Sequence, residues 1–412
     1  MTVTSNSVYF TVREAGELPG TGWHVRVLEA PAYTDEIIRI YEFTDLTAGP
    51  ALNRPGEGSV TLDLDSELWD TTLPGGQTGR YLLDREHVWR CYQDGTLRFE
   101  FLGTNIEETI VDTTNARTVT ISGPGTADVL RWAKVFPPGF PVPPGENGFL
   151  WPFIGKPIMQ AYLYLLHAAQ ARGTIPWVQA RFGKEADAGG TDWDDLHTAA
   201  ANRIEFSPDL GTDLLTLIGE VTGQDPSVPA GTRADWRMRP GFKLEVRKTI
   251  GADQSKKIVF HEPVLESKQR TRSREELVNY IVVADAYFET SQKAASASVA
   301  TWGRRELWDN RGNLTEDKRR APVVHNLLAQ NKIEKSNWVL KVPYDEPGRA
   351  VFVDYAMGDW VGVMRHNASG ASTLESYRVI GIVVHVSAVG DPEVELELQS
   401  RLDTRLRVLE QN

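Results

Sequence analysis

Apolar and polar residues alternate with a period of two over long stretches near both ends of this 412-residue chain. In Ser59–Asp65, for example, the three apolar residues fall on one side of an extended chain, and Thr61, Asp63 and Asp65 fall on the other. Such alternation is typical of half-buried antiparallel strands, because successive side chains point to opposite faces of a sheet. The pattern therefore predicts a chain built mainly from antiparallel β-structure.

The first third of the chain, residues 1–123, carries most of these runs and is predicted to form one β-barrel or sandwich domain. The turn Gln93-Asp94-Gly95 separates two of the strands. The predicted strands are Val8–Arg13, Trp23–Val27, Ser59–Asp65, His87–Tyr92, Thr96–Leu102, Asn105–Val111 and Arg117–Ser122.

The middle of the chain has a mixed pattern, which predicts a loop- and helix-rich insertion at 124–200 and a mixed α/β region at 201–336. Lys156–Arg172 is apolar almost all round, so we expect this helix to be buried on several sides or packed against a partner chain. The other predicted helices are Thr126–Lys134, Ser207–Val221 and Thr315–Lys335; predicted strands lie at Phe242–Lys248, Lys257–His261 and within 277–308, including Ala294–Ala300.

The last segment, residues 337–412, is again β-rich and resembles the first third. Each contains a strand, a polar turn, a strand that ends at Gly103 or Gly381, and a further pair of strands. Two copies of one small β domain would produce this likeness, although any two β meanders share some of it. The predicted fold class is therefore α+β and β-dominated, with two β-barrel or sandwich domains flanking a mixed α/β insertion.

Charge and cysteine content exclude several classes of protein for this chain. The net charge is −12, and residues 1–123 supply most of it, with 9 Arg, no Lys and 19 Asp+Glu. An acidic chain without a basic tract is a poor nucleic-acid binder, since binding needs Lys and Arg to displace counterions. The only cysteine, Cys91, is predicted to be a buried, inert thiol, and one cysteine excludes a disulfide framework, zinc fingers and iron–sulfur clusters. No apolar run is long enough for a membrane span, so we expect no stable membrane insertion.

Motifs that carry catalysis are nearly absent. Neither a phosphate-binding glycine loop, a nucleophile elbow nor a zinc-binding His-Glu-x-x-His occurs, and no cofactor is expected. The cluster Asp192, Asp194, Asp195 and His197 could hold a hard cation or act as acid and base. The cluster also follows Gly189-Gly190-Thr191, which predicts a loop or the first turn of a helix. Carboxylates at a helix start are stabilised there without any catalysis, and we prefer this structural interpretation.

The chain contains 12 tryptophans, and exposed tryptophan rings can stack on sugars. Four of them, Trp23, Trp89, Trp338 and Trp360, fall at strand positions where core packing explains them. Trp132, Trp151, Trp177 and Trp193 lie in or near the insertion, where they could be exposed, make chain–chain contacts or bind sugars.

Several short motifs resemble those of minor tail proteins from long-tailed, siphovirus-type bacteriophages of actinobacteria, known as tail hub, baseplate hub or tail-associated proteins. The resemblance is carried by Leu52–Leu62, with its Asn-x-Pro-Gly loop leading into a strand, and by the hairpin Arg90–Phe101. Trp302–Glu306 and Met357–Val361 also look like features of that family.

The resemblance implies a structural hub at the tail tip, present in the virion and made in the host cytoplasm. Family members form homotrimeric rings in which two tube-like domains per chain continue the tail tube, with DNA passing through the channel. The implied partners are the distal tail protein ring, the tape measure protein and other minor tail proteins of the tip. Two alternatives remain, a tail-associated cell-wall hydrolase using the Asp192–His197 cluster and a carbohydrate-binding module for host recognition.

A channel that releases DNA should be neutral to acidic, because each Lys or Arg on a phosphate adds affinity. The strand face that carries Thr61, Asp63 and Asp65 fits this demand. We therefore predict that some of Asp63, Asp65, Glu107 and Glu108 line the channel.

Overall fold

The structure, a computed structural model, describes most of the chain but not all of it. The described residues are 9–10, 22–30, 32–111, 116–135, 153–182, 203–206, 211–222, 234–247, 249–261, 267–273, 277–285, 288–311, 320, 323–325, 327–328, 332, 335–366, 372–388 and 392–400. The Asp192–His197 cluster lies outside these ranges.

Strands dominate the described part, which confirms the β-dominated α+β class. The strands of the first third are β1 (Tyr9–Phe10), β2 (Trp23–Leu28), β3 (Glu36–Ile40), β4 (Asp45–Gly49), β5 (Glu57–Asp63), β6 (Val88–Gln93), β7 (Thr96–Leu102), β8 (Asn105–Val111) and β9 (Ala116–Pro124).

The described residues of the rest of the chain add fourteen strands and three α-helices. The strands are β10 (Phe153–Pro157), β11 (Gln179–Phe182), β12 (Arg203–Phe206), β13 (Asp235–Arg239), β14 (Lys243–Arg247), β15 (Val259–Phe260), β16 (Ser267–Ser273), β17 (Tyr280–Asp285), β18 (Thr290–Ala294), β19 (Glu306–Arg311), β20 (Lys335–Pro343), β21 (Trp360–His366), β22 (Ser372–Ser387) and β23 (Glu393–Ser400). The helices are α1 (Ile158–Ala171), α2 (Leu214–Val221) and α3 (Ser296–Trp302).

One ten-stranded sheet, called the large sheet below, joins the two ends of the chain. Its order is β16-β20-β23-β22-β4-β5-β9-β8, with β21 paired to the first half of β22 and β15 paired to β21. The joint between the ends is the antiparallel pair β22–β4, in which Val384 lies opposite Ala48 and Ser387 lies opposite Asp45. The large sheet therefore crosses the predicted domain boundaries, with strands from 1–123, 201–336 and 337–412.

The same strand order occurs twice in the large sheet. The first four-stranded unit is β4-β5-β9-β8, and the second is β16-β20-β23-β22. Gly103 precedes β8 in the first unit, and Gly381 lies at a register shift inside β22 in the second. Two units of equal strand order thus lie side by side, whereas His87–Tyr92 and Thr96–Leu102, which belong to the repeat described from the sequence, lie in a different sheet.

A five-stranded sheet of order β1-β3-β2-β6-β7 packs across part of the large sheet. The buried layer between them holds Val25, Ile38, Trp89 and Cys91 from the five-stranded sheet together with large-sheet residues such as Leu62. The sequence pattern left a barrel or a sandwich open for this region, and the observed form is a sandwich. No sheet within the described ranges closes into a barrel.

A second core lies around α1 and α2. Helix α1 buries a stripe of Tyr162, Leu165, Leu166 and Ala169, while Tyr164 is 47% exposed. The stripe packs on α2 and on the sheet β11-β14-β13. No helix in the described ranges is both long and apolar enough to cross a membrane.

Several sequence predictions need correction. Ala294–Ala300 was expected to continue the strand pattern, but β18 ends at Ala294 and helix α3 begins at Ser296. The alternation there consists of small Ala and Ser residues, which fit a helix equally well because they have little side chain to restrict. Thr126–Lys134 is a 3₁₀ helix over Thr126–Trp132, and Lys335, expected in a helix, begins β20.

Candidate functional site: the polar face of the large sheet

The side of the large sheet that points away from the buried core carries polar side chains from one edge to the other. Strand register places these residues on one side, since Thr47 lies opposite both Ser59 and His385, and Thr61 lies opposite Thr120. We call this surface the polar face. Its described members are Gln269, Ser267, Val339, Lys341, Glu393, Glu395, Glu397, Gln399, Gly381, Val383, His385, Ser387, Asp45, Thr47, Gly49, Glu57, Ser59, Thr61, Asp63, Thr118, Thr120, Ser122, Asn105, Glu107 and Thr109.

Local sequence explains why these residues face outward. In β23, the acidic residues Glu393, Glu395 and Glu397 alternate with buried Val394, Leu396 and Leu398. In β5, exposed Glu57 and Asp63 sit at the two ends of the same pattern. Burial of the apolar set against the core fixes the register, since a slip of one residue would bury the carboxylates instead.

Carboxylates outnumber cations on the polar face. The carboxylates are Asp45, Glu57, Asp63, Glu107, Glu393, Glu395 and Glu397. Lys341 lies 3.3 Å from a carboxylate oxygen of Glu393 and 3.3 Å from one of Glu395, and Arg54 from a neighbouring loop forms an ion pair with Glu397. The hydrogen bonds to Glu395 and Glu393 raise the pKa of Lys341, so it stays charged and committed to these partners. The surface therefore presents a net negative charge.

On the polar face, threonine hydroxyl groups contact polar side chains of the neighbouring strands. The Oγ1 atoms of Thr61 and Thr120 lie 2.9 Å apart, and Thr47 Oγ1 lies 3.1 Å from Nδ1 of His385. The second contact spans the β22–β4 joint, where the two ends of the chain meet. Short hydroxyl side chains cover the strands here without offering a cation to an anionic ligand.

The four predicted channel residues do not all share this surface. Asp63 and Glu107 lie on the polar face, because Asp63 is opposite Thr118 and Glu107 is opposite Thr120. Glu108 lies on the other side of β8, opposite buried Val119. Asp65 lies beyond the end of β5, where its backbone N–H donates to Asp63 Oδ1 at 2.8 Å. Sequence reasoning missed the three glutamates of β23, although their strict alternation carried the same signal.

A buried ion pair connects the large sheet to the three-stranded sheet β11-β14-β13. Arg378 of β22 and Asp235 of β13 are each 6% exposed, and both guanidinium Nη atoms bond the carboxylate, one of them at 3.0 Å. Arg378 also donates to the carbonyl oxygens of Ile250 at 2.7 Å and Gly358 at 3.2 Å. Asn53 donates to Asp235 at 3.4 Å and accepts the backbone N–H of Trp236 at 2.8 Å. Arg378 thus binds groups from three other parts of the chain, at Asp235, Ile250 and Gly358.

Two of the motifs that carried the family resemblance meet at this ion pair. Asn53 belongs to Leu52–Leu62, and Gly358 belongs to Met357–Val361. A third motif, Trp302–Glu306, has a comparable role elsewhere, because buried Asn279 donates to the carbonyl of Gly303 at 2.7 Å and accepts from the backbone N–H of Arg305 at 2.7 Å. These motifs therefore lie where segments that are distant in sequence contact each other, and not at a reactive centre.

A pocket between β7 and β13 has a volume of about 270 Å³. Glu100 is the acidic residue that lines it. Burial raises the pKa of Glu100, and the positive charge of Arg90 opposes this rise. Both carboxylate oxygens are occupied, one by Arg90 Nε at 2.5 Å and the other by the N–H of Gly241 at 2.6 Å. Glu100 thus serves to join β6, β7 and the β13–β14 turn.

The other candidate residues are only partly described. The cluster Asp192, Asp194, Asp195 and His197 lies outside the described residues, and within them no group of three or more His, Cys, Asp or Glu is arranged to hold a metal. Burial raises the pKa of the Cys91 thiol, as the prediction of an inert cysteine requires. Of the insertion tryptophans, Trp132 is 40% exposed and packs edge-to-face on Trp177, and Trp151 and Trp193 are not described.

Comparison with known proteins shows likeness in fold. No protein-family model matches the sequence, and no curated protein matches it. The fold is similar to that of the 43 kDa tail protein of prophage MuSo2 from Shewanella oneidensis, with a TM-score of 0.60 and 8% identity over 92% of this chain and 99% of that one. A tail protein from Neisseria meningitidis MC58 gives 0.58 and 11% over 92% and 97%. Prophage tail protein gp18 from Listeria monocytogenes EGD-e gives 0.50 and 10% over 94% and 98%.

Proposed function

We propose that this chain is a structural, non-catalytic hub protein of a bacteriophage tail tip, and that it forms a homotrimeric ring around the channel through which DNA leaves. The observation that carries the proposal is the polar face, an acidic and hydroxyl-rich surface that runs across eight strands of one sheet. The fold likeness to tail proteins supports the same role, as do the motifs that resemble minor tail proteins of actinobacteriophages.

The chemistry of the polar face suits a channel wall. DNA carries a dense row of phosphates, and each Lys or Arg that contacts a phosphate releases counterions and adds affinity. On the polar face the described cations Lys341 and Arg54 are paired to glutamates, so they are not available to phosphates. DNA would pass such a wall without being retained.

The repeated strand order suits a trimer. Each chain supplies two four-stranded units, so three chains would supply six similar units to a ring that contacts a sixfold tail tube. The distal tail protein ring, the tape measure protein and other minor tail proteins of the tip are the proposed partners. In this role the protein resides in the virion after synthesis in the host cytoplasm.

Localisation in particles tests the proposal. Virions from a host that carries this gene in a phage or prophage are purified and labelled with gold-conjugated antibody against the chain. We expect label at the distal end of the tail, and peptides of this chain in the virion by mass spectrometry. Label on the capsid, or a protein absent from particles that remain infectious, would contradict the function.

A further inference from the structure

Strand β8 forms one outer edge of the large sheet and is unusually uncovered. Every residue from Asn105 to Ile110 is exposed, on both sides of the strand, and Ile106 and Ile110 are 40% and 58% exposed. Within the described residues β8 pairs with β9 alone. An exposed edge strand with apolar residues is a ready template for pairing with another chain.

The opposite edge of the sheet is β16, which pairs with β20 alone within the same described residues. In the repeated strand order, β8 ends the first unit as β22 ends the second, and β16 begins the second unit as β4 begins the first. Inside one chain, the end strand β22 already pairs antiparallel with the start strand β4. The chain thus contains an example of how one unit joins the next.

We propose that β8 of one copy of this chain pairs antiparallel with β16 of a second copy, repeating the β22–β4 joint between molecules. The proposal rests on the proposed ring-forming function and specifies which strands make the ring. Such an interface is heterologous, since two different edges meet, and heterologous contacts generate closed rings when the rotation between copies closes.

The register of the new pair follows from the ladders of the two units. Val384 lies three residues after Gly381 and opposite Ala48 in the internal joint. Ile106 lies three residues after Gly103 and takes the place of Val384. In the first unit, Ala48 lies opposite Gly58, which lies opposite Gly123; in the second unit, Lys268 lies opposite Leu340, which lies opposite Leu396. Gly123 lies two residues after the residue opposite Ile106, and Leu396 lies two residues after the residue opposite Val384. The two units therefore have the same register, and Lys268 takes the place of Ala48.

Transferred in this way, the register sets Ile106 opposite Lys268 and Glu107 opposite Ser267. The polar face then continues from one copy to the next, since Glu107 and Ser267 both belong to it. In this register Asn105, Ile106 and Glu107 of β8 lie opposite Gln269, Lys268 and Ser267 of β16, so the new pair joins three residues of each strand.

A cysteine pair tests the interface in the full-length protein. The double variant Glu107→Cys with Ser267→Cys is purified and oxidised under mild conditions, and the products are separated on a non-reducing gel. Six strands lie between β16 and β8 in one chain, about 34 Å along the sheet at about 4.8 Å per strand. A disulfide therefore has to join two molecules, and we expect a covalent trimer with no higher ladder. Native Cys91 is fully buried and does not compete.

The matched control is Glu108→Cys with Ser267→Cys. It moves one cysteine by a single residue to the other side of β8, so the thiols cannot meet across the proposed pair. Equal cross-linking in the control would overturn the proposal, because it would show random collision.

The oligomeric state of the same sample, measured by mass photometry, separates this inference from the proposed function. A trimer whose Glu107→Cys and Ser267→Cys residues stay unlinked would overturn the β8–β16 pairing and leave the hub function standing. A monomer without cross-links would also overturn the pairing. The hub function fails separately, when the protein is missing from the tail tip in purified particles.

Discussion

At the scale of single residues, the fold depends on a few polar contacts between segments far apart in sequence. Arg378 and Asp235 are 143 residues apart, so no local pattern could have paired them. The alternation in β5 predicted that Asp63 and Thr61 share one side of the strand, as observed, because side-chain direction in a strand follows from sequence position alone. It could not place Asp65, since the point at which a strand ends depends on the turn that follows.

The Arg378–Asp235 pair should be sensitive to loss of either partner. Arg378→Met leaves a buried carboxylate without its cation, and we expect the free energy of unfolding to fall by about 3–5 kcal/mol. Urea unfolding of purified protein measures this change. Arg131→Ala is the control, because its pair with Asp128 is exposed and its removal should cost about 1 kcal/mol or less. Equal losses in the two variants would contradict the assigned role of the buried pair.

His24 should give the protein an acid-sensitive contact. It stacks between Tyr92 and Tyr41, and burial, followed by the charges of Arg26 and Arg39, lowers its pKa from 6.5 to about 4. Between these values the unfolded chain binds a proton that the folded chain does not, so the free energy of unfolding should fall as pH drops from about 6.5 to 4. Denaturant unfolding at several pH values should show a shallower fall for His24→Gln. Parallel curves for the two proteins would argue against a neutral, folded-state His24.

At the scale of elements, strands with strong alternation were predictable and strands without it were not. Trp23–Val27 was predicted and observed as Trp23–Leu28, whereas β4 and β16 were missed. Strand β4 reads Asp-Leu-Thr-Ala-Gly and β16 has no apolar residue, so both form because neighbouring strands hold them in the sheet. The joint β22–β4 therefore could not be found from the sequence.

Close contact between two backbone segments beside β21 requires glycine. Gly358 has φ +97°, and a Cβ there would lie 2.5 Å from the carbonyl oxygen of Ile250. Gly348 has φ +75° with nothing within 4 Å of a Cβ. Both Ala substitutions strain the backbone, by about 1 kcal/mol or more, but only Gly358→Ala also forces the segments apart.

We therefore expect Gly358→Ala to lower the unfolding temperature clearly more than Gly348→Ala, as measured by differential scanning calorimetry. The difference between the variants isolates the crowding from the cost of the left-handed conformation. If Gly348→Ala lowers the unfolding temperature as much as Gly358→Ala, the close contact of the two backbone segments at Gly358 contributes nothing to the loss of stability.

At the scale of the whole molecule, both ends of the chain contribute carboxylates to one surface, the polar face. The sequence located the excess in residues 1–123, and that part supplies Asp45, Glu57, Asp63 and Glu107 of the polar face. The contribution of Glu393, Glu395 and Glu397 depends on the joining of two distant segments into one sheet. Composition shows only that the charge exists; its placement requires the fold.

Reversing charge on the polar face should slow DNA release. In Glu57→Lys with Asp63→Lys, two exposed sites of β5 become cationic and should bind phosphates. We expect slower ejection at low salt, measured by a DNA-binding dye, and recovery as salt screens the contacts. The control is Glu67→Lys with Asp70→Lys on the 3₁₀ helix after β5, which makes the same charge change away from the polar face. Ejection slowed equally by both variants would contradict a special role for the polar face.

Cryo-microscopy of the tail tip in intact particles tests whether the polar face lines a ring. We expect three copies of this chain in a closed ring, with the polar face turned toward the channel and the five-stranded sheet on the outside. A ring whose polar face points outward, or a tip that holds one or six copies, would contradict it.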